Sequence, residues 1–225
     1  MKIDRDGVPF IVASAAPSVL AFASGHRRVA AVLAVVPVAV GAFFRDPDRA
    51  SDQGPSADEH VVLAPADGKV MHVGEPQPDV APPGDWQQIS IFLSLADVHI
   101  NRTPVGGTLL AVSHRPGRYL AAFKAESAHL NERSELTVGT MVDGVERTVV
   151  FRQIVGMAAR RVVTRVRTGD SLVAGQRIGL MRFGSRMDVF LPPDVELTVA
   201  VGDKTVAGES VLGRWPIAAV TEQGS

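Results

Sequence analysis

Three short clusters hold the side chains from which chemistry could be built. In Ala64-Pro65-Ala66-Asp67-Gly68-Lys69 a carboxylate sits in an Asp-Gly pair, which taken alone is most often only a turn. In Leu93–Pro104 a strand-like run, SIFLSL, ends in Asp97, His99, Asn101 and Arg102: an acid, an imidazole, an amide and a guanidinium. In Met181–Val189 the pair Gly184-Ser185 interrupts an otherwise continuous strand pattern. A serine directly after a glycine is what an N→O acyl shift requires. Ser185 Oγ must reach the Gly184 carbonyl carbon at a tight backbone angle, and a residue without a side chain leaves that carbonyl unshielded. Other chemistries are excluded by composition. With no cysteine there is no disulfide, thiolate zinc site, iron–sulfur cluster or cysteine nucleophile. The 23 basic and 24 acidic side chains leave a net charge of -1, with no basic excess to neutralise a phosphate backbone, so nucleic acid is not an expected partner.

The elements that must position these clusters fall into two parts. Residues 8 to 24 and 29 to 44 are uncharged runs, separated by Gly25-His26-Arg27-Arg28 and carrying Pro17 and Pro37 near their centres. Each is near or below the length needed to span a bilayer, and each proline should kink a helix. The expected arrangement over residues 1–49 is a membrane-associating helical hairpin, dipping into one leaflet or crossing obliquely, with Arg27, Arg28, Arg45 and Arg49 at the headgroups. A polar linker follows at 50–60. From 61 to 225 the pattern changes to Val/Ile runs of strand length divided by Gly, Pro and Asp turns, with one expected helix at about 117–131. Two similar heptapeptides, GDSLVAG at 169–175 and GDKTVAG at 202–208, read as matching strand–turn–strand corners. The expected fold class is mainly β, a β-sandwich or barrel-sandwich-like fold of two related halves, preceded by the apolar hairpin. Because all three clusters lie beyond residue 60, this β-rich part is expected to carry the chemistry without the hairpin.

Taken in order, the clusters resemble the short form of the phosphatidylserine decarboxylase family. The resemblance runs from FFRDPDR at 43–49 to GESVLG at 208–213. It is most specific in FGSRMDVFLP at 183–192, and is carried also by ADVHINRTP at 96–104, PADGKV at 65–70 and NER at 131–133. It implies a proenzyme that cuts itself between Gly184 and Ser185 into a β chain, 1–184, and an α chain, 185–225. Ser185 becomes a pyruvoyl group, the only cofactor expected, and no metal is needed. It further implies that His99 and Asp67 form the acid–base pair that deprotonates Ser185. The pyruvoyl ketone then takes up the substrate amine and accepts the electron pair released with CO2.

Two departures from the family pattern stand out. Longer members carry a second histidine three residues after the first, where this chain has Arg102. Either one histidine serves both steps, or Arg102, with Asn101 beside it, holds the substrate phosphate or carboxylate. The cleavage motif also has Phe183 and Arg186 in place of the commoner Leu and Thr. The function implied is conversion of phosphatidylserine to phosphatidylethanolamine at the cell membrane, by a peripheral or monotopic enzyme whose β and α chains form a heterodimer and can assemble further. Two alternatives stay open at this point: a pyruvoyl decarboxylase of another amino-acid-like headgroup, and a membrane-anchored β-sandwich adaptor in which Gly184-Ser185 is a bulge.

Overall fold

A computed structural model describes residues 2–53, 58–157, 161–182 and 184–217, the side chains of 52 and 53 excepted. Phe183, part of the 50–60 linker and the tail from 218 lie outside the described residues. The helices are α1 (Val8–Ala23), α2 (Arg27–Leu33), α3 (Val35–Phe43) and α4 (Ser127–Leu130). The strands are β1 (Lys2–Ile3), β2 (Arg45–Asp46), β3 (Val61–Leu63), β4 (Gly68–Gly74), β5 (Gln87–Leu93), β6 (Ile100–Arg102), β7 (Gly107–Arg115) and β8 (Arg133–Val142), followed by β9 (Val145–Val155), β10 (Val162–Thr164), β11 (Ser171–Leu172), β12 (Arg177–Met181), β13 (Ser185–Leu191), β14 (Glu196–Leu197), β15 (Lys204–Thr205) and β16 (Val211–Arg214).

The protein is mainly β, as its strand-period Val/Ile runs require. An antiparallel eight-stranded sheet, ordered β11-β7-β8-β9-β13-β5-β4-β15, is accompanied by the three-stranded sheets β10-β12-β6 and β14-β16-β3. One continuous core draws on all three, with Ile89, Ile91, Leu136, Phe151 and Val189 from the large sheet, Ile178 and Met181 from β12, and Val62 and Leu212 from the third. β8 shows the period-2 burial of a strand with one wet face, whereas every residue of β13 is buried. β13 therefore lies covered on both faces, between β5 and β9.

The two heptapeptide repeats form two-residue strands at opposite edges of the large sheet, β11 on β7 and β15 on β4. A second repeat, not evident from the sequence, underlies them: Thr103-Pro104-Val105-Gly106-Gly107 matches Ala64-Pro65-Ala66-Asp67-Gly68. Gly175 N–H donates to Thr103 O and Gly208 N–H to Ala64 O, while Leu63 N–H donates to Pro104 O and Arg102 N–H to Pro65 O. Gly107 (φ +136°) and Gly68 (φ +156°) are equivalent too, since a Cβ on either would lie 2.1 or 2.3 Å from a neighbouring carbonyl oxygen. The two related halves are thus bonded to each other reciprocally.

At the N-terminus α1 folds back on α2 through Gly25 (φ +81°), and Ser18 Oγ donates to Ala30 O at 2.9 Å across the turn. The second run is two helices, not one. Pro37 supplies no N–H for the carbonyl of Leu33 and crowds it, so the helix breaks at Ala34. α1 with the turn before it, Arg5–Ala23, is long and apolar enough to cross a membrane by length and composition. The hairpin is also tied to the β-rich part. Asp4 and Asp6 both accept from Arg165 at 2.6 Å and Asp46 accepts from Arg177 at 2.8 Å, while β1 pairs with β2 within the N-terminal segment itself. The helix expected at 117–131 is reduced to the single turn of α4. Upstream, the Asn131 side chain bonds both N–H and C=O of Leu120 and so replaces helical partners with a closed loop.

Candidate functional site

Ser185 is the first residue of β13, paired with Leu93 on one side and Val155 on the other. Its Oγ is buried and has no hydrogen-bond partner among the described residues. A buried, unpartnered hydroxyl costs free energy, which makes Ser185 a candidate for the reactive position. The preceding Gly184 has φ +67°, a left-handed conformation that turns the chain sharply as it enters the strand. Gly156 lies against the same peptide: a Cβ built there would sit 2.0 Å from Gly184 O. The Gly184 carbonyl therefore packs on bare backbone, between a glycine that bends and a glycine that makes room.

His99 reaches this peptide from the loop before β6. Its Nδ1 is 3.0 Å from Asp97 O, which can only accept, so Nδ1 carries the proton. Its Nε2 is then the unprotonated nitrogen, whose lone pair accepts from Gly184 N–H at 3.3 Å. The imidazole is 2% exposed, and burial, the largest influence, pulls its pKa down to about 4. The Asp97 carbonyl and carboxylate push the other way, and Arg45 adds to the lowering. His99 is thus neutral across the physiological range, in one tautomer, with its basic nitrogen toward the Gly184 peptide.

The other sequence-derived candidates are placed differently. No hydrogen bond joins Asp67 to His99 among the described residues. The Asp67 carboxylate accepts from Arg49 Nη2 at 2.8 and 3.0 Å and from Ala207 N–H at 2.8 Å, binding the end of the 1–49 segment to the β15 corner. Arg102 is buried, donating to Ser51 Oγ at 3.1 Å and to Gly175 O at 2.8 Å. It holds the 47–51 segment against the junction of the two halves and does not face an open pocket. Asn101 is fully buried as well. Its Oδ1 accepts from Gln153 Nε2 at 2.9 Å, and its Nδ2 has no partner among the described residues. Both side chains are buried: β6 is the edge strand of the small sheet, and Asn101 reaches Gln153 of β9 in the large one. Arg186, which follows the serine, is buried in an ion pair with Asp188 at 2.6 Å and also donates to Gln77 and Ser90.

An apolar hollow of about 160 Å³ opens at Gly184, lined by Phe92, Leu95, Ala122, Phe123 and Met157. Leu95, Phe123 and Met157 are all more than 60% exposed, forming an apolar rim around the Gly184 peptide. A larger cleft of about 370 Å³, between Val105–Thr108 and Gly139–Met141, includes none of the candidate residues. Glu59, His60 and Asp143 bring three ligand-type atoms within 4.8 Å of one another, in the geometry of a His60–Asp143 ion pair at 3.2 Å. Two site residues escape sequence reasoning. Gly156 follows the β9 run, where a glycine signals close backbone approach, and Phe43 opens the FFRDPDR segment, whose resemblance does not reveal that its ring meets His99. His99, Gly184 and Ser185 are the candidates that the fold brings together.

Comparison with known proteins places this geometry in context. The family model described as phosphatidylserine decarboxylase matches residues 38–213. A phosphatidylserine decarboxylase proenzyme of Pelobacter propionicus is 42% identical over 217 residues, covering 93% of this chain and 94% of its own. Proenzymes of the same name from Symbiobacterium thermophilum and Solibacter usitatus are 44% and 40% identical over 214 residues, each covering 95% of this chain.

Proposed function

The chain belongs to the phosphatidylserine decarboxylase family, and on that footing we propose that it is a precursor that cuts itself between Gly184 and Ser185 and then converts phosphatidylserine to phosphatidylethanolamine and CO2. The observation that carries the reading is the pairing of an unpartnered, buried Ser185 Oγ with a neutral His99 whose Nε2 meets the Gly184 peptide.

In the first step His99 Nε2 takes the Ser185 hydroxyl proton as Oγ attacks the Gly184 carbonyl carbon. The new C–O bond replaces the Gly184–Ser185 amide bond, leaving an ester and a free amine. The left-handed Gly184 and the bare Gly156 keep that carbonyl accessible. Loss of the Ser185 Cα proton with rupture of the Cβ–Oγ bond then releases residue 184 as a carboxylate. The residue left at 185 gains water and loses ammonia to become a pyruvoyl group. Residue 185 fits that group, because the strand beyond it is held by β5 and β9 whether or not the 184–185 bond is intact. A pyruvoyl group supplies the electron sink that decarboxylation of an amino acid needs. His99 is placed to return a proton to the product carbon, one histidine serving both steps. Asp67, bound to Arg49 and Ala207, acts as a positioning residue for the corner that it closes.

A substrate with two acyl chains stays in the bilayer, and the exposed apolar surface of α1–α3, with the rim at Leu95, Phe123 and Met157, suits an enzyme seated on it as a peripheral or monotopic protein. The 1–49 hairpin, 50–60 linker and 61–225 β-rich part are accordingly read as a membrane seat, a connection and a reaction module, with 1–184 and 185–225 as the two product chains. The Ser185→Ala variant tests the reading. Intact-mass measurement should find one uncut 225-residue chain without decarboxylase activity, and a fragment beginning at position 185 would overturn it.

A further inference from the structure

Phe43, the last residue of α3, lays its ring on the His99 imidazole, with centroids 4.2 Å apart and planes tilted by 39°. It is buried with Phe44, Val98, Ile100 and Leu180 in a small core of its own. Phe44 meets Phe43 edge-on at 5.0 Å and stacks on Phe10 of α1 at 5.5 Å. The Phe10 ring in turn lies under the Arg182 guanidinium at 4.9 Å. Two arms of the apolar hairpin thus meet neighbours of the Gly184 peptide, one the base His99 and one Arg182, two positions upstream. The two arms are close-packed on each other, since a Cβ at Gly7 would lie 2.4 Å from Phe44 Cβ. Arg45 fastens the same junction by donating to Ala96 O at 2.6 Å. Beyond it the hairpin is apolar and unpartnered, with Leu20, Val32 and Val38 all more than 65% exposed.

We infer that Phe43 is a positioning residue for His99, seating the imidazole with Nε2 toward Gly184 and sealing it from water, so that the base is complete only when the hairpin is docked. This rests on the reading of His99 as the base. An apolar ring against an imidazole acts in two ways: it blocks rotation of the side chain, and it withholds the water that would stabilise a charged form. Charged groups near His99 work in opposite senses. Asp97, on the same loop, favours the imidazolium and Arg45, on β2, opposes it, while Arg182 has its guanidinium on Phe10. Burial dominates, and Phe43 is the hairpin's share of that burial.

The test uses the full-length chain in vesicles of phosphatidylethanolamine and phosphatidylglycerol, with self-cleavage followed after a pH jump. Wild-type cleavage should be flat from pH 8 to about 5, since the neutral base persists down to about 4. If Phe43→Ala returns His99 toward its ordinary value near 6.5, cleavage at pH 5.5 should fall about tenfold below its own plateau, with Phe43→Leu keeping the wild-type shape. In uncut Ser185→Ala protein, diethylpyrocarbonate should label His99 slowly, and Phe43→Ala should speed that labelling about tenfold while leaving the other five histidines unchanged. A wild-type pH profile together with unchanged labelling in Phe43→Ala overturns the proposal. Should Phe43→Ala not fold, Phe43→Val is measured by the same two readouts, and the same pair of results supports or overturns the proposal. A His99→Gln variant separates the failures. Normal cleavage there removes the base itself, whereas lost cleavage with an unmoved Phe43 profile removes only the role of Phe43.

Discussion

A peptide bond between Gly184 and Ser185 is ordinary in sequence and unusual in setting. The serine hydroxyl is buried without a partner, the preceding backbone is left-handed, and the carbonyl between them rests on Gly156. Gly156 is buried and is not among the positive-φ glycines, so alanine there is not excluded by backbone conformation. It is excluded by the 2.0 Å approach of Gly184 O. Gly156→Ala should therefore displace the scissile carbonyl by an ångström or so and slow self-cleavage by roughly 10²-fold. Molecules that do cleave should turn over phosphatidylserine normally, because the Gly184 carbonyl has left the site. Comparing the cleavage rate with turnover per cleaved molecule checks this, and an equal loss in both would assign Gly156 to the general packing of the site. Arg102 makes a contrasting prediction. Its guanidinium satisfies Ser51 Oγ and Gly175 O inside the protein, so Arg102→Leu should destabilise the fold by about 2–4 kcal/mol in denaturant unfolding, through the buried acceptors it abandons. A change in KM without loss of stability would return Arg102 to substrate binding.

The hairpin shows how an element can serve two solvents. Outside the His26–Arg28 turn the exposed faces of its helices are largely apolar, while its ends are fastened to the β-rich part by Asp4, Asp6 and Asp46 on arginines and by Phe43 and Phe44 in a core. On the role inferred for Phe43 it should not be a detachable anchor, since truncation at residue 44 would strip one face of His99. The membrane seat is better tested by point changes away from that junction. Leu20→Asp or Val32→Asp, at positions 67% and 72% exposed, should leave folding and self-cleavage intact while weakening vesicle binding by roughly 10²-fold, given the cost of a carboxylate in hydrocarbon. Vesicle flotation measures this, and undiminished flotation of both variants would place the membrane contact elsewhere.

At the scale of the molecule, the proposed cut falls where the chain enters the middle of an eight-stranded sheet. β13 remains bonded to β5 and β9 over its length, and the chain beyond it supplies β14, β15 and β16, the last paired with β3 from the other side of the cut. The two product chains should therefore stay together under native conditions and part only in denaturant, as size-exclusion chromatography followed by denaturing electrophoresis will show. Separation in native buffer would contradict this arrangement. Backbone bonds across the cut work in the same direction, with Gly208 N–H donating to Ala64 O at 2.8 Å and Ala64 N–H to Ser210 O at 2.7 Å.

Much of this was legible without coordinates. Strand-period Val/Ile runs dictate a mainly β protein, two uncharged runs dictate an apolar hairpin, and Gly184-Ser185 with the His99 segment carries the family resemblance, because period, charge and motif are local properties. Pairing across long separations is not local. Only the folded chain puts His99 at Gly184 and not at Asp67, turns Arg102 and Asn101 inward, and brings Phe43 onto the imidazole from 56 positions away. Which donor meets which acceptor depends on how the small sheet, with β6 at its edge, packs on the large one and where the hairpin docks. Those outcomes are decided by close packing and the satisfaction of buried polar groups throughout the molecule, so no single stretch of sequence contains them.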